Sequence, residues 1–286
     1  MKLASYRRTQ GGSTGSSYGA VVGNNIVDLA SDVAPTLRAS LAIEGVEALA
    51  QRLATRQSSG ALPLASVVLL PPVVDPAKIL CVGLNYRSHA QEAGVAVPEH
   101  PSIFARFPSS LVGHEQPVTR PRESDRFDYE AELAVIVGRR GRRIPEARAM
   151  DYVAGYACLA ENSVRDWQRH AAQVTPGKNF DASGAFGPWL VTKEEADPLE
   201  KMTVTGRLNG EIVQQGSVAD MVFSVPRLIS YLSTFAELLP GDVIATGTPA
   251  GVGAGRKPPR FLHAGDVFEV EISNLGVLRN AVQDDM

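Results

Sequence analysis

The run Phe127-Asp128-Tyr129-Glu130-Ala131-Glu132-Leu133-Ala134-Val135-Ile136-Val137-Gly138 constrains the chain more than any other stretch. It enters through charged and aromatic residues, continues as an apolar run and closes at a glycine, which is how a buried strand reads. Side chains alternate along a strand, so Glu130 and Glu132 point the same way. Two carboxylates on one face repel unless something cationic sits between them, and hard oxygen ligands of this kind suit Mg²⁺ or Mn²⁺. The pair also reads as a solvated polar face at the start of a strand. Glu269 and Glu271 have the same spacing within Val267–Ile272, and there the alternation with apolar residues reads as the solvent face of a half-buried strand.

Composition narrows the function classes. Hydrophobic residues make up 44% of 286, enough for a sizeable core, and charged residues 21% with a net charge of −3. Nucleic acid or an anionic membrane would call for a basic surface, so neither is expected as a partner. Arg139-Arg140-Gly141-Arg142-Arg143 reads as a solvated turn for the same reason. Cys81 and Cys158 form neither a disulfide framework nor a zinc spacing, which fits a reducing cytoplasm. The N-terminus lacks the apolar core of a signal peptide, and no apolar run approaches a membrane span.

Residues 1–72 read as a small N-terminal domain. Ala20–Val22 and Asn25–Leu29 flank a Gly23-Asn24 turn, and apolar positions recur at helical spacing from Thr36 to Arg56 until Ser58-Ser59-Gly60 breaks the pattern. Leu69-Leu70-Pro71-Pro72 closes this unit, because consecutive prolines end regular structure. Residues 73–286 hold the remaining signals. Lys78–Gly83 and Tyr152–Ala160 read as strands, Glu146–Met150 as a short helix, Asn209-Gly210 as a hairpin turn, and Ser224-Val225-Pro226 as the start of a helix running to Phe235.

Several residues carry possible chemistry. His89 and Glu92 are i and i+3, neighbours on a helix, and a carboxylate beside an imidazole orients it and raises its basicity. An ordinary surface pair has the same spacing. Glu161, at the end of a strand, is placed to join Glu130 and Glu132. Lys178 reads as an exposed loop lysine, with a cation facing an anionic intermediate as the other possibility. His100 and His114 read as solvated loop residues. Gly247–Gly255 fails both the Walker and the dinucleotide glycine patterns, and the prolines that follow forbid an immediate helix. It remains a flexible loop suited to close backbone approach to a ligand.

Taken in order, Val82-Gly83-Leu84-Asn85-Tyr86 with His89 and Glu92, Tyr129–Leu133, Gly155-Tyr156 through Arg165-Asp166, Gly177-Lys178, Asn209-Gly210-Glu211 with Gln214, and Thr246–Gly253 resemble the fumarylacetoacetate hydrolase family. The resemblance runs from about residue 78 to the end. It implies a β-rich α+β fold: a mixed β-sandwich or roll as catalytic domain behind the small N-terminal domain, in a homodimer. It implies Mg²⁺ or Mn²⁺ held by Glu130, Glu132 and Glu161, a water-activating dyad of His89 and Glu92, and Lys178 stabilising negative charge. Gln214 and Thr248 match positions near the substrate, and Arg106 the far end of it. Two departures stand out. Many members carry Asn-Asp at Ala160-Glu161, although glutamate is found in a subgroup acting on 2,4-diketo-3-deoxy sugar acids. Lysine is common at Arg106.

The activity so implied is hydrolysis of a C–C bond in a β-diketo acid such as an acylpyruvate. His89 takes a proton from water, the hydroxide attacks the distal carbonyl, and the bond breaks to leave a pyruvate enolate. Oxaloacetate decarboxylation or isomerisation of a 2-hydroxydienoate would use the same metal and enolate without an attacking water. A ligand-binding homologue without catalysis is the reading from another class, and the general base argues against it.

Overall fold

Ala131–Val137 is buried at every position because both its edges and both its faces are covered. It pairs antiparallel with Val153–Ala160 on one side and with Val243–Ala245 on the other. In the computed structural model, which describes residues 1–9, 15–56 and 60–285, this strand lies inside a sheet of twelve. The sheet continues one way through Ile79–Gly83 to Ser102–Arg106, and the other way through Gly184–Thr192 to Lys2–Arg8 and the N-terminal strands. A second sheet of five has the order Glu211–Ser217, Thr203–Leu208, Val267–Ile272, Gly276–Asp284, Val118–Arg120.

Strand alternation explains why the apolar run has no polar gap. Leu133, Val135 and Val137 face the second sheet and pack in one core with Val204, Phe268 and Val270. Ala134 and Ile136 face the opposite way, into a core shared with Leu37, Leu41 and Leu49 of the N-terminal helices. Each large aliphatic side chain buried in this way contributes about 1.5–3 kcal/mol. The expected β-rich α+β architecture of packed sheets is what forms.

Local signals hold with some changes. Asn209 and Gly210 both take positive φ, 53° and 82°, and join Leu208 to Glu211 as a tight hairpin turn requires. Ser224 caps the helix Val225–Phe235 by accepting from the Arg227 N–H. The periodic stretch from Thr36 to Arg56 is two helices, Leu37–Ile43 and Gly45–Arg56, because Gly45 has φ +79° and interrupts the ladder. Ser58 and Ser59, expected to end that stretch, lie outside the described residues. The central run is also divided: Phe127–Asp128 pairs with Ser163–Val164, and Glu130 falls between that ladder and Ala131–Val137. The chain on either side of Pro71-Pro72 shares one sheet, since Lys2 and Leu3 pair with Val191 and Leu190. Cys81 and Cys158 are buried free thiols. Among the described residues, no helix is long and apolar enough to cross a membrane.

The strands Val153–Ala160 and Gly184–Thr192 approach so closely at Gly155 that a β-carbon there would collide with the Val191 carbonyl oxygen. Gly155→Ala should therefore destabilise the protein by about 1–3 kcal/mol in denaturant unfolding. Wild-type stability in that variant would contradict the close approach.

Candidate active site

The pairing of Ala131 with Ala160 sets the ends of two central strands side by side, and the Glu161 N–H donates to the Glu130 carbonyl oxygen at 2.9 Å. Glu130, Glu132 and Glu161 consequently converge, each with a carboxylate oxygen within 4.8 Å of the others'. They are 5%, 2% and 0% exposed. Lys178 ends the short helix Thr175–Lys178 and is itself buried. Its ammonium donates to Glu130 Oε2 at 2.9 Å and also to the Glu161 carboxylate. Arg165 Nη1 lies 2.7 Å from Glu130 Oε1, and Arg106 Nη1 3.2 Å from Glu161 Oε1.

Glu132 is left without a cationic side chain among the described residues, and the Gly247 N–H donates to it at 2.8 Å. Burial, then the charges of Glu161 and Glu130, push its carboxyl well above the usual range. Burial also opposes charge on Glu130, but Lys178 and Arg165 outweigh it and hold that carboxyl down at about 2. For Lys178 burial would favour the neutral amine; Glu130 and Glu161 reverse this and raise its pKa. Three buried carboxylates with one lacking a counter-charge, and an all-oxygen donor set, fit a hard divalent cation such as Mg²⁺ or Mn²⁺.

The cluster lines an inner chamber of about 90 Å³ together with Lys178 and Thr248. His89, Phe104, Arg165 and Gln168 line this chamber and also an outer one of about 490 Å³. His89 Nδ1 is 3.2 Å from Glu92 Oε2 on the helix Arg87–Glu92. Burial would raise the Glu92 carboxyl, but the bond to His89 and the Gly251 N–H, donating at 2.9 Å, bring it below the usual range. Glu92 thus stays a carboxylate able to orient the imidazole. A roomier cavity of about 540 Å³, lined by Met150, Tyr156 and Leu199 among others, contains none of these groups. Chemistry belongs where titratable side chains converge, in the smaller chambers.

Several expectations need correction. Lys178 is a buried cation, not an exposed loop lysine. Arg106 is turned away from both chambers; its guanidinium is spent on Glu161, Ser110, Ser183 and the Asn162 carbonyl. Gln214 is likewise a brace: Oε1 accepts from the Ala131 N–H, while Nε2 donates to Thr248 Oγ1 and the Pro249 carbonyl. Only Thr248 of that pair lines the inner chamber. His114 is partly buried, and its Nδ1 accepts from the Arg279 N–H; His100 is exposed in a loop, as expected, beside the Tyr231 ring at 6.3 Å. The residue that sequence reasoning missed is Asp128. It is fully buried and accepts from Arg165 Nε at 2.7 Å and from the N–H groups of Tyr129, Gly253 and Ala254 at 2.9, 2.7 and 2.9 Å. Its one signal is position, two residues ahead of Glu130 on the same alternation.

The fold and site have known counterparts. A family model described as fumarylacetoacetate (FAA) hydrolase C-terminal matches residues 78–283. The mitochondrial oxaloacetate tautomerase fahd2 of Xenopus laevis is 42% identical over 265 residues, covering 91% of this chain and 83% of that protein. The solved fumarylacetoacetate hydrolase of psychrophilic Exiguobacterium antarcticum is 33% identical with a TM-score of 0.86, covering 100% of both chains. A maleylpyruvate hydrolase from Sphingobium sp. SYK-6, solved with manganese(II) and pyruvate, is 26% identical with a TM-score of 0.83 and 100% coverage of both.

Glu132→Gln replaces a buried carboxyl that has no cationic partner among the described residues, so the variant should fold as well as the wild type. It should nonetheless lose the thermal stabilisation expected of the wild type when Mn²⁺ is added as a probe. At about a hundred times Kd the wild type gains about 2.7 kcal/mol from a bound ligand, and a variant with equal gain would remove Glu132 from the ligand set. Asp128→Ala strips Arg165 of a buried partner and frees two loop N–H groups, and should cost about 3–5 kcal/mol in urea unfolding.

Proposed function

Because the chain belongs to the fumarylacetoacetate hydrolase family, we propose that it is a metal-dependent enzyme of 2-oxo acids whose reaction is the keto–enol tautomerisation of oxaloacetate. The observation that carries this is the meeting, across one small chamber, of a buried three-glutamate cluster with the His89–Glu92 pair. A divalent cation held by Glu130, Glu132 and Glu161 would supply Lewis acidity to the substrate's 2-oxo group. His89, oriented by Glu92, takes a proton from the carbon next to that group, and the electron pair of the C–H bond moves toward the carbonyl oxygen. Lys178, kept protonated by its carboxylate neighbours, stands at the chamber wall where this negative charge develops. Return of the proton to oxygen completes the enol. The 42% identity to an oxaloacetate tautomerase supports this choice of substrate.

A second reading is C–C hydrolysis of an acylpyruvate, in which the same imidazole takes its proton from water instead. The likeness to two hydrolases, one solved with pyruvate, favours keeping it. The two separate by product. Chelator-stripped protein, before and after Mg²⁺ return, is given oxaloacetate or acetylpyruvate while enol absorbance is followed and pyruvate quantified. Faster equilibration of oxaloacetate without pyruvate is the expected result. Stoichiometric pyruvate from acetylpyruvate would install hydrolysis in its place, and pyruvate from oxaloacetate would install decarboxylation. His89→Ala should slow the reaction by about 10²–10⁴-fold; undiminished turnover would show that His89 is not the base.

A further inference from the structure

The outer chamber holds more than the acid head of a substrate needs, and its charges are unevenly used. Its wall is largely apolar, with Val95, Phe104, Val174 and Val252 among the lining residues. Three basic groups join them, His89, Arg165 and Arg169, with Glu92 as the acid. His89 is engaged by Glu92. Arg165 is engaged by Asp128 and Glu130. Glu92, the acid of this wall, has one oxygen on His89 and the other on the Gly251 N–H. Arg169 follows Trp167 and Gln168 in a short 3₁₀ turn. Its main-chain N–H bonds to the Asp166 carbonyl, but its guanidinium has no hydrogen-bond or ion-pair partner among the described residues. It lines the outer chamber and not the inner one.

We propose that Arg169 is a specificity-determining residue, taking the second carboxylate of a 2-oxo dicarboxylic acid whose 2-oxo acid end lies in the inner chamber. This rests on the reading of the inner chamber given above, which already makes the substrate a 2-oxo dicarboxylic acid, and adds to it the residue that holds the second carboxylate. A guanidinium presents paired N–H donors that match a carboxylate, and one without an acidic partner has no internal bond to give up. His89 is held by Glu92, and Arg165 spends Nε and Nη1 on Asp128 and Glu130; its one unpartnered nitrogen, Nη2, is buried beside the glutamate cluster, whereas Arg169 lines only the outer chamber. An apolar wall between the two polar ends suits a methylene or vinyl chain. Arg169 is exposed, so a substrate with an uncharged tail would leave its guanidinium to water alone.

The test is calorimetric binding to the Mn²⁺-loaded protein, so it does not depend on turnover. Chain-matched pairs are compared: 2-oxoglutarate against 2-oxopentanoate, and 2-oxoadipate against 2-oxohexanoate. Wild type should favour the diacid of at least one pair by about three- to fivefold, as expected for one ion pair at an exposed position. In Arg169→Ala the preference should fall to parity, and Arg169→Lys should keep part of it by retaining charge without the fork. Equal binding of both members by the wild type, or an undiminished preference in Arg169→Ala, overturns the assignment to Arg169 alone. Failure of all four acids to bind overturns the inner-chamber reading, and the proposal falls with it.

Discussion

A carboxylate taken out of water must be given donors, and Asp128 shows how this fold supplies them. Its two oxygens collect one guanidinium and three main-chain N–H groups. Through Arg165 it steadies Glu130, and through Gly253 and Ala254 it fixes the Gly247–Gly255 loop. The loop in turn donates from Gly247 to Glu132 and from Gly251 to Glu92. Gly247 and Gly251 sit at φ +103° and +107°, where side-chained residues are rarely found, and this lets their N–H groups turn toward the carboxylates. A stretch that fails as a phosphate loop thus spends its donors on the protein's own anions.

The two departures from the family pattern meet in space. Arg106 and Glu161 are paired at 3.2 Å with both side chains essentially sealed from solvent. A longer acid at 161 and a forked cation at 106 form one unit, with Ser110 and Ser183 taking N–H groups that Glu161 leaves over. Neither change was interpretable singly, because each makes sense as the partner of the other. The pair also explains why Arg106 is not free to hold a substrate.

Most of the frame was legible in the chain. The apolar run from Leu133 to Val137 required covering on two faces, Asn209-Gly210 required a tight hairpin, and Ser224 with Pro226 announced a helix start. The glutamate cluster was legible only with the help of family resemblance. Glu269 and Glu271 repeat the spacing of Glu130 and Glu132, yet they pair with Arg279 and Arg207 in partly exposed positions. What separates the two pairs is the segment that folds over them, and spacing along one strand carries no record of that. Lys178 was misjudged for the same reason: glycine and proline around it mark a loop, and nothing local says that the loop is covered by other chain. Asp128 was hidden, and the bracing role of Gln214 with it, because several of their partners are backbone groups far away in sequence, and any residue can supply those.

The glycine-rich loop touches both halves of the site with main-chain atoms alone. Gly247 holds a carboxylate of the glutamate cluster and Gly251, four residues on, holds the carboxylate that orients His89. A short peptide segment pinned at two points behaves as a mechanical link. The position of Glu132 is therefore tied to that of Glu92 through main chain alone, with no side chain between them. The two halves of the site are in this sense one device, assembled by backbone.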